Sequence, residues 1–198
     1  MSEEKDDVRS RILRSAKGLF ARQGFDKTTV RQICEEADAN VALVSYHFGG
    51  KEGVFEAIFD TYFPDHRLDE MPSSTDPATE LRYIIQGATS FRLKDREIGA
   101  IIQQELALQS PRVDVIERHR GQVWNRLRLI LEKGKEEGIF QFASLDTTHL
   151  FVIGTLLSDV RMVDAQGASQ LAELGIKQFI DDMEIYIFSA LHYTGTLQ

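Results

Sequence analysis

Apolar residues in this chain recur at helical spacing from one end to the other, and no stretch alternates apolar with polar residues long enough to suggest a sheet. That pattern confines the 198 residues to an all-α fold. Val8, Ile12, Ala16, Leu19 and Phe20 form a first stripe ending at Gly24, where a C-cap glycine belongs. Thr29 with Gln32 three residues later reads as a capping box. It opens a second helix whose stripe is Val30, Ile33, Cys34 and Ala37. Asp38 tolerates a left-handed turn and Asn40 suits an N-cap, so a short third helix follows, ending near His47. The Gly49-Gly50 pair breaks the chain. Lys51 then starts a fourth helix with Val54, Phe55, Ile58, Phe59 and Tyr62 facing inward, stopped by Pro64.

Residues 64–77 hold three of the four prolines and read as a loop. Five more helices are expected beyond it: 77–93, 96–109, 111–138, one following Asp146, and 169–192. About nine helices without an internal repeat is the result. The longest apolar run, LFVIGTLL at 150–157, is far short of the roughly 18 residues of a membrane span. MSEEKDDV has no apolar core of a secretory signal, so a cytoplasmic protein without membrane contact is expected. A single cysteine excludes a disulfide framework and a Cys-rich zinc site.

The net charge of −8 is unevenly spread. Residues 1–8 carry −3, residues 9–51 carry +4, and residues 52–198 carry −9. A basic segment of this size on an acidic body is the footprint of a small DNA-contacting module joined to something else. TTVRQICEEA, the turn DA, and NVALVSYHF fit a helix-turn-helix. On its second helix Val44 and Phe48 fall on the inner side. Val41, Ala42, Leu43, Ser45 and Tyr46 then cover the remaining surface, small enough to lie close in a major groove about 12 Å wide. Thr29, Arg31, Tyr46, His47 and Lys51 supply phosphate donors around the rim, and Asn40 at the helix start completes the candidate set. Because Val41, Ala42 and Leu43 carry no side-chain donors, reading is expected to lean on thymine methyls and DNA shape.

From about Arg9 to Phe63 the segments RSRILRSAKGLFARQGF, TTVRQICEEAD, NVALVSYHF and GGKEGVFEAIF resemble the tetracycline-repressor (TetR) family of bacterial transcriptional regulators. Asp38 stands where many members have Gly, Asn40 where many have Ser, and Ser45 where Tyr is common. The resemblance implies an N-terminal three-helix DNA-binding domain and a helical effector-binding and dimerisation domain. We place these at 1–50 and 51–198. It further implies a ligand-responsive repressor that binds a palindromic operator as a homodimer through its last two helices. Neither a cofactor nor an enzymatic activity is expected, and the small-molecule effector is unspecified. The residues agree on dimerisation. The eighth helix is apolar all round from Leu150 to Leu157, and the ninth carries Ile185, Tyr186 and Phe188 beside its own stripe, so each has more than one face to bury. Two rivals stand beside this reading: a DNA-organising protein of the same fold with no effector, and a helical enzyme or carrier.

Within the acidic body Glu105 falls on the inner stripe set by Ile98, Ile101 and Ile102, where a carboxylate is costly unless paired. Two readings stay open. It pairs with His119 or Arg120 as a structural ion pair, or it faces a ligand pocket with Trp124 and Arg128 nearby. Asp159 and Arg161 pose the same choice in the eighth helix. Asp65, His66, Asp69 and Glu70 read as a solvated loop or a cation site. The five histidines show no short metal-ligand spacing, and no metal or catalytic site is expected. Gly50-Lys51 lacks the Ser/Thr and the earlier Gly of a phosphate loop, and Cys34 on an inner stripe reads as a structural thiol.

Overall fold

The computed structural model describes residues 7–63, 76–157 and 165–195, with side chains in the last stretch from Gly175 onward. Among the described residues there are nine helices and no strand. They are α1 (Val8–Gln23), α2 (Val30–Ala37), α3 (Val41–Phe48), α4 (Lys51–Tyr62), α5 (Pro77–Lys94), α6 (Arg96–Leu108), α7 (Val113–Glu136), α8 (Leu145–Leu157) and α9 (Ala165–Ala190). Asp65, His66, Asp69 and Glu70 of the expected loop, and Asp159 and Arg161, lie outside the described residues. The ninth helix starts four residues before the expected 169, and Gly175 leaves helical geometry (φ 76°, ψ 153°) and kinks it.

The chain divides into two compact units, Met1–Phe63 with Asp95–His119, and Pro64–Lys94 with Arg120–Gln198. The first unit runs past position 50, where the sequence put its boundary. Its core explains why. Ile12, Ala16 and Phe20 of α1, Ile33 of α2 and Val44 of α3 are buried with Phe55, Ile58 and Phe59 of α4 and Ile98 and Ile101 of α6. Each large side chain fully buried here stabilises by about 1.5–3 kcal/mol, so α4 and α6 belong to this core energetically. The Cys34 thiol is buried, and burial pushes its pKa up, as suits an inert structural residue.

Polar contacts fasten α6 to α1 inside that unit. Lys17 Nζ reaches Asp95 Oδ2 at 2.8 Å and Glu97 Oε2 at 3.3 Å, and lies 4.5 Å from the centroid of the half-buried Tyr62 ring. Gln104 Nε2 donates to the Ala21 carbonyl at 2.9 Å. Burial alone would pull the Lys17 pKa down, but the hydrogen bonds and opposite charges of Asp95 and Glu97 outweigh it and hold it above the ordinary 10.5. A raised lysine pKa stabilises the fold fully below the unfolded value and loses that contribution as pH climbs through the folded one. We therefore expect urea midpoints of the parent to fall on raising pH beyond 10.5 by an increment that Lys17→Met lacks. Identical pH profiles for the two proteins would show that the contact contributes nothing.

In the second unit, Leu81 and Ile85 of α5, Leu127 and Leu131 of α7, Val152 and Leu156 of α8, and Ile187 and Phe188 of α9 form one core. Two buried glutamates border it. Glu80 pairs with Arg126 (Oε2 to Nη2, 2.5 Å), while Glu184 accepts from Gln86 Nε2 at 2.7 Å and pairs with Arg82 Nε at 3.5 Å.

Candidate nucleic-acid interface

Local capping rules build the two short helices of the first unit. The Thr29 hydroxyl accepts from Gln32 N at 3.2 Å while Gln32 Oε1 accepts from Thr29 N at 2.9 Å, closing the capping box expected for α2. Asp38 adopts the left-handed conformation (φ 48°) that ends α2, and Asn40 Oδ1 accepts from Ala42 N at 2.8 Å to open α3. Arg11 braces that turn, donating to the carbonyls of Ala37 (3.0 Å) and Asp38 (3.2 Å). Gly49 ends α3 at φ 74°.

The geometry of α3 sorts its side chains. Val44 is wholly buried, and Phe48 is half-buried with the Arg9 guanidinium 5.4 Å from its centroid. Val41, Ala42, Ser45, Tyr46 and His47 are exposed, Tyr46 most of all at 82%. Leu43, grouped with the reading face from sequence, is half-buried. Asn40, Thr29 and Arg31 are exposed. Arg31 pairs one turn on with Glu35 (2.9 Å), but both side chains are so exposed that the pair is weak.

Lys51 is placed differently from a free phosphate donor. Its Nζ donates to the carbonyls of Phe25 (2.9 Å) and Thr28 (2.8 Å) and sits 4.1 Å from the Phe25 ring centroid. Two of its three N–H groups are thus committed. Gly53, which sequence reading passed over, is required for a steric reason: a Cβ there would meet the Phe48 carbonyl oxygen at 1.8 Å. Any larger residue would push α4 away from the end of α3.

The five candidate ligand residues are scattered. Glu105, 1% exposed, pairs with Arg112 Nε at 2.9 Å and accepts from the Ser110 hydroxyl. The expected partners His119 and Arg120 are therefore corrected to Arg112. Gln109 at φ 49° turns the chain at the end of α6, allowing Ser110 and Arg112 to reach the carboxylate. His119, in the first unit, faces Asp60 Oδ1 at 3.3 Å beside the Phe59 and Phe63 rings. Arg120, Trp124 and Arg128 belong to the second unit. Arg128 makes an open surface pair with Asp146 at 2.7 Å. The Trp124 Nε1 is buried without a hydrogen-bond partner among the described residues, although its carbonyl lies 2.9 Å from His149 Nε2.

Sequence reading missed Thr89, fully buried with a hydroxyl that has no hydrogen-bond partner among the described residues. Its signal was present: Thr89 continues the α5 stripe of Leu81 and Ile85 at four-residue spacing, a polar group where an apolar one belongs. Among the described residues no cluster of His, Cys, Asp and Glu could hold a metal, and no helix is long and apolar enough to cross a membrane.

Comparison with known proteins finds relatives of this arrangement. Residues 12–58 match the model of bacterial regulatory proteins of the tetR family. The probable HTH-type transcriptional regulator YttP of Bacillus subtilis is 24% identical over 139 residues, covering 67% of either chain. The HTH-type transcriptional repressor NicS of Pseudomonas putida is 23% identical over 158 residues, 77% of this chain and 74% of that one. The crystal structure of HlyIIR, a hemolysin II transcriptional regulator, superposes with a TM-score of 0.68 at 25% identity, covering 93% of this chain and 96% of its own. Residues 12–58 thus carry a DNA-binding module of the tetR type, and the relatives that match most of the chain are named transcriptional regulators and repressors.

Proposed function

We propose that the protein is a cytoplasmic repressor in which α3 enters the major groove of a palindromic operator, paired with a second copy through α8 and α9. The carrying observation is the exposed face of α3. It offers short side chains at Val41, Ala42 and Ser45 on a helix anchored by buried Val44 and capped by Asn40. Thr29, Arg31, Tyr46 and His47 rim that face as phosphate donors, with Lys51 contributing its one uncommitted N–H and Leu43 the edge of the reading surface. A dimer of this kind reads half-sites about 34–36 Å apart, or a multiple of that distance.

The second unit takes a small-molecule effector in this reading. What supports it is Thr89 Oγ1 and Trp124 Nε1, two buried donors without partners among the described residues, since such groups are costly unless something completes them. An effector can release DNA only by preferring the non-binding state, by about 1–3 kcal/mol for typical coupling. Unchanged operator affinity across a broad metabolite panel would favour a regulator without an effector.

The DNA reading has a direct test. Duplexes selected from a random pool by the parent protein supply the operator. Replacing each thymine of a half-site by uracil removes only a methyl group, and we expect several-fold weakening at the positions facing Val41 and Ala42. Affinity unchanged by every replacement would sink methyl reading and shift the specificity to Asn40 and Ser45.

A further inference from the structure

The segment that reads DNA is fastened at both ends by one residue. Lys51, two positions beyond the Gly49 cap of α3, holds the carbonyls of Phe25 and Thr28, immediately before the Thr29 cap of α2. The helix-turn-helix is therefore a loop of chain closed by an ammonium group. That ammonium also rests on the Phe25 ring, and the ring has a second cation. The Arg112 guanidinium carbon lies 3.9 Å from the same centroid at which Lys51 Nζ lies at 4.1 Å. Distances this short put both groups over the π face, where the attraction is strongest. Phe25 is 4% exposed and packs edge-to-face on Phe55, so it cannot swing away from either cation without disturbing the core.

Arg112 differs from the other members in where it comes from. It lies between α6 and α7, and it is held by the buried Glu105 carboxylate (2.9 Å) and by Asp26 (3.3 Å). Its side chain is 15% exposed and both its charge partners are protein groups, so it is not offered to DNA. We propose that Arg112 is a positioning residue for DNA binding. Through the Phe25 ring it sets the Lys51 clasp, and through the clasp the orientation of α2 and α3. Displacement of the turn after α6 then alters DNA affinity through this ring, although Arg112 itself touches no phosphate. The chemistry is specific: a cation is required at 112 and a π face at 25.

The experiment measures affinity for a duplex selected by the parent protein, across a salt series, for full-length variants shown to be folded by circular dichroism. Arg112→Gln is expected to weaken binding at least about fivefold, the low end of an ordinary coupling. The dependence on salt should keep its slope, because that slope counts phosphates neutralised and Arg112 neutralises none. Arg112→Lys, which keeps a cation over the ring, should recover most of the loss. In a Phe25→Leu background Arg112→Gln should cost nothing further, and its effect should be non-additive with Lys51→Met. Where Arg112→Gln alone unfolds, because Glu105 is left buried beside Ser110, the pair Glu105→Gln with Arg112→Gln replaces it. Folded variants that bind within about twofold of the parent, or losses that add independently, overturn the proposal. A fall in the salt slope overturns it as well, by making Arg112 a phosphate contact.

Discussion

A protein carrying Leu150→Glu and Phe151→Glu on α8 is expected to sediment as a monomer and to bind a two-half-site operator about 10²–10⁴ more weakly than the parent. The loss follows from geometry. Leu150 is 70% exposed in the single chain and Tyr186 of α9 63%, with Phe151, Leu157 and Ile185 also open. Apolar surface of this extent on two neighbouring helices is uncommon on a monomer and marks an interaction face. The α8 stripe of Leu150, Phe151, Gly154 and Leu157 recurs at helical spacing, as a self-complementary two-fold contact requires. Like charges placed at adjacent positions leave the single chain's core untouched, because neither side chain is buried within it. They would strand charges in the interface, and each reading head would then search for its half-site alone. Affinity for an isolated half-site should stay near the parent value. The parent's melting temperature should rise with protein concentration while the variant's does not. A parent that is monomeric at micromolar concentration, with and without DNA, would end the dimer reading; so would a variant that remains dimeric.

What the sequence disclosed about this molecule was local. The Thr29–Gln32 box, the Asn40 cap, the left-handed Asp38 and the Gly24 terminus follow from rules spanning three or four residues, and all are present. Apolar stripes likewise named most of the core, because periodicity assigns a face wherever a helix has one. It failed where a helix has two, as on α8, since nothing local says which face meets its own chain. Pairings across the chain were out of reach for a different reason. Glu105 is legible as a buried carboxylate needing a cation, with His119 or Arg120 as the expected pair, but the left-handed turn at Gln109 that brings Arg112 to it leaves no local signal. Lys51 could be read as basic and well placed near DNA. That its ammonium points at carbonyls 23 and 26 residues earlier is a tertiary fact. The boundary at 50 has the same origin: α4 and α6 look like separate helices until their buried faces are seen to complete one core.

Phe55→Ala is expected to destabilise the first unit by roughly 3–5 kcal/mol, the usual range for emptying a buried phenylalanine site. Phe55 is wholly buried and meets Phe59 at 5.1 Å, Phe25 at 5.6 Å and Phe20 at 6.0 Å between centroids. Each such ring pair adds about 0.5–1.5 kcal/mol beyond area, so truncation forfeits packing on three sides. Set against the 5–15 kcal/mol that typically holds a domain, the first unit should melt about 15 °C earlier or more, while the α8–α9 contact of the proposed dimer survives. Loss of DNA binding with retained dimerisation is the signature to measure, by fluorescence anisotropy and sedimentation on the same samples. Phe55→Leu should cost distinctly less, because it refills most of the space. The comparison with Ile12→Ala, also wholly buried but without a ring, separates stability from alignment. If Phe55 supports the Phe25 joint, its loss weakens operator binding even at temperatures where the unit is folded, and Ile12→Ala at equal folded fraction does not. Equal affinities for the two folded variants would mean that the aromatic cluster acts only as a core, and that the reading head needs no particular ring beneath it.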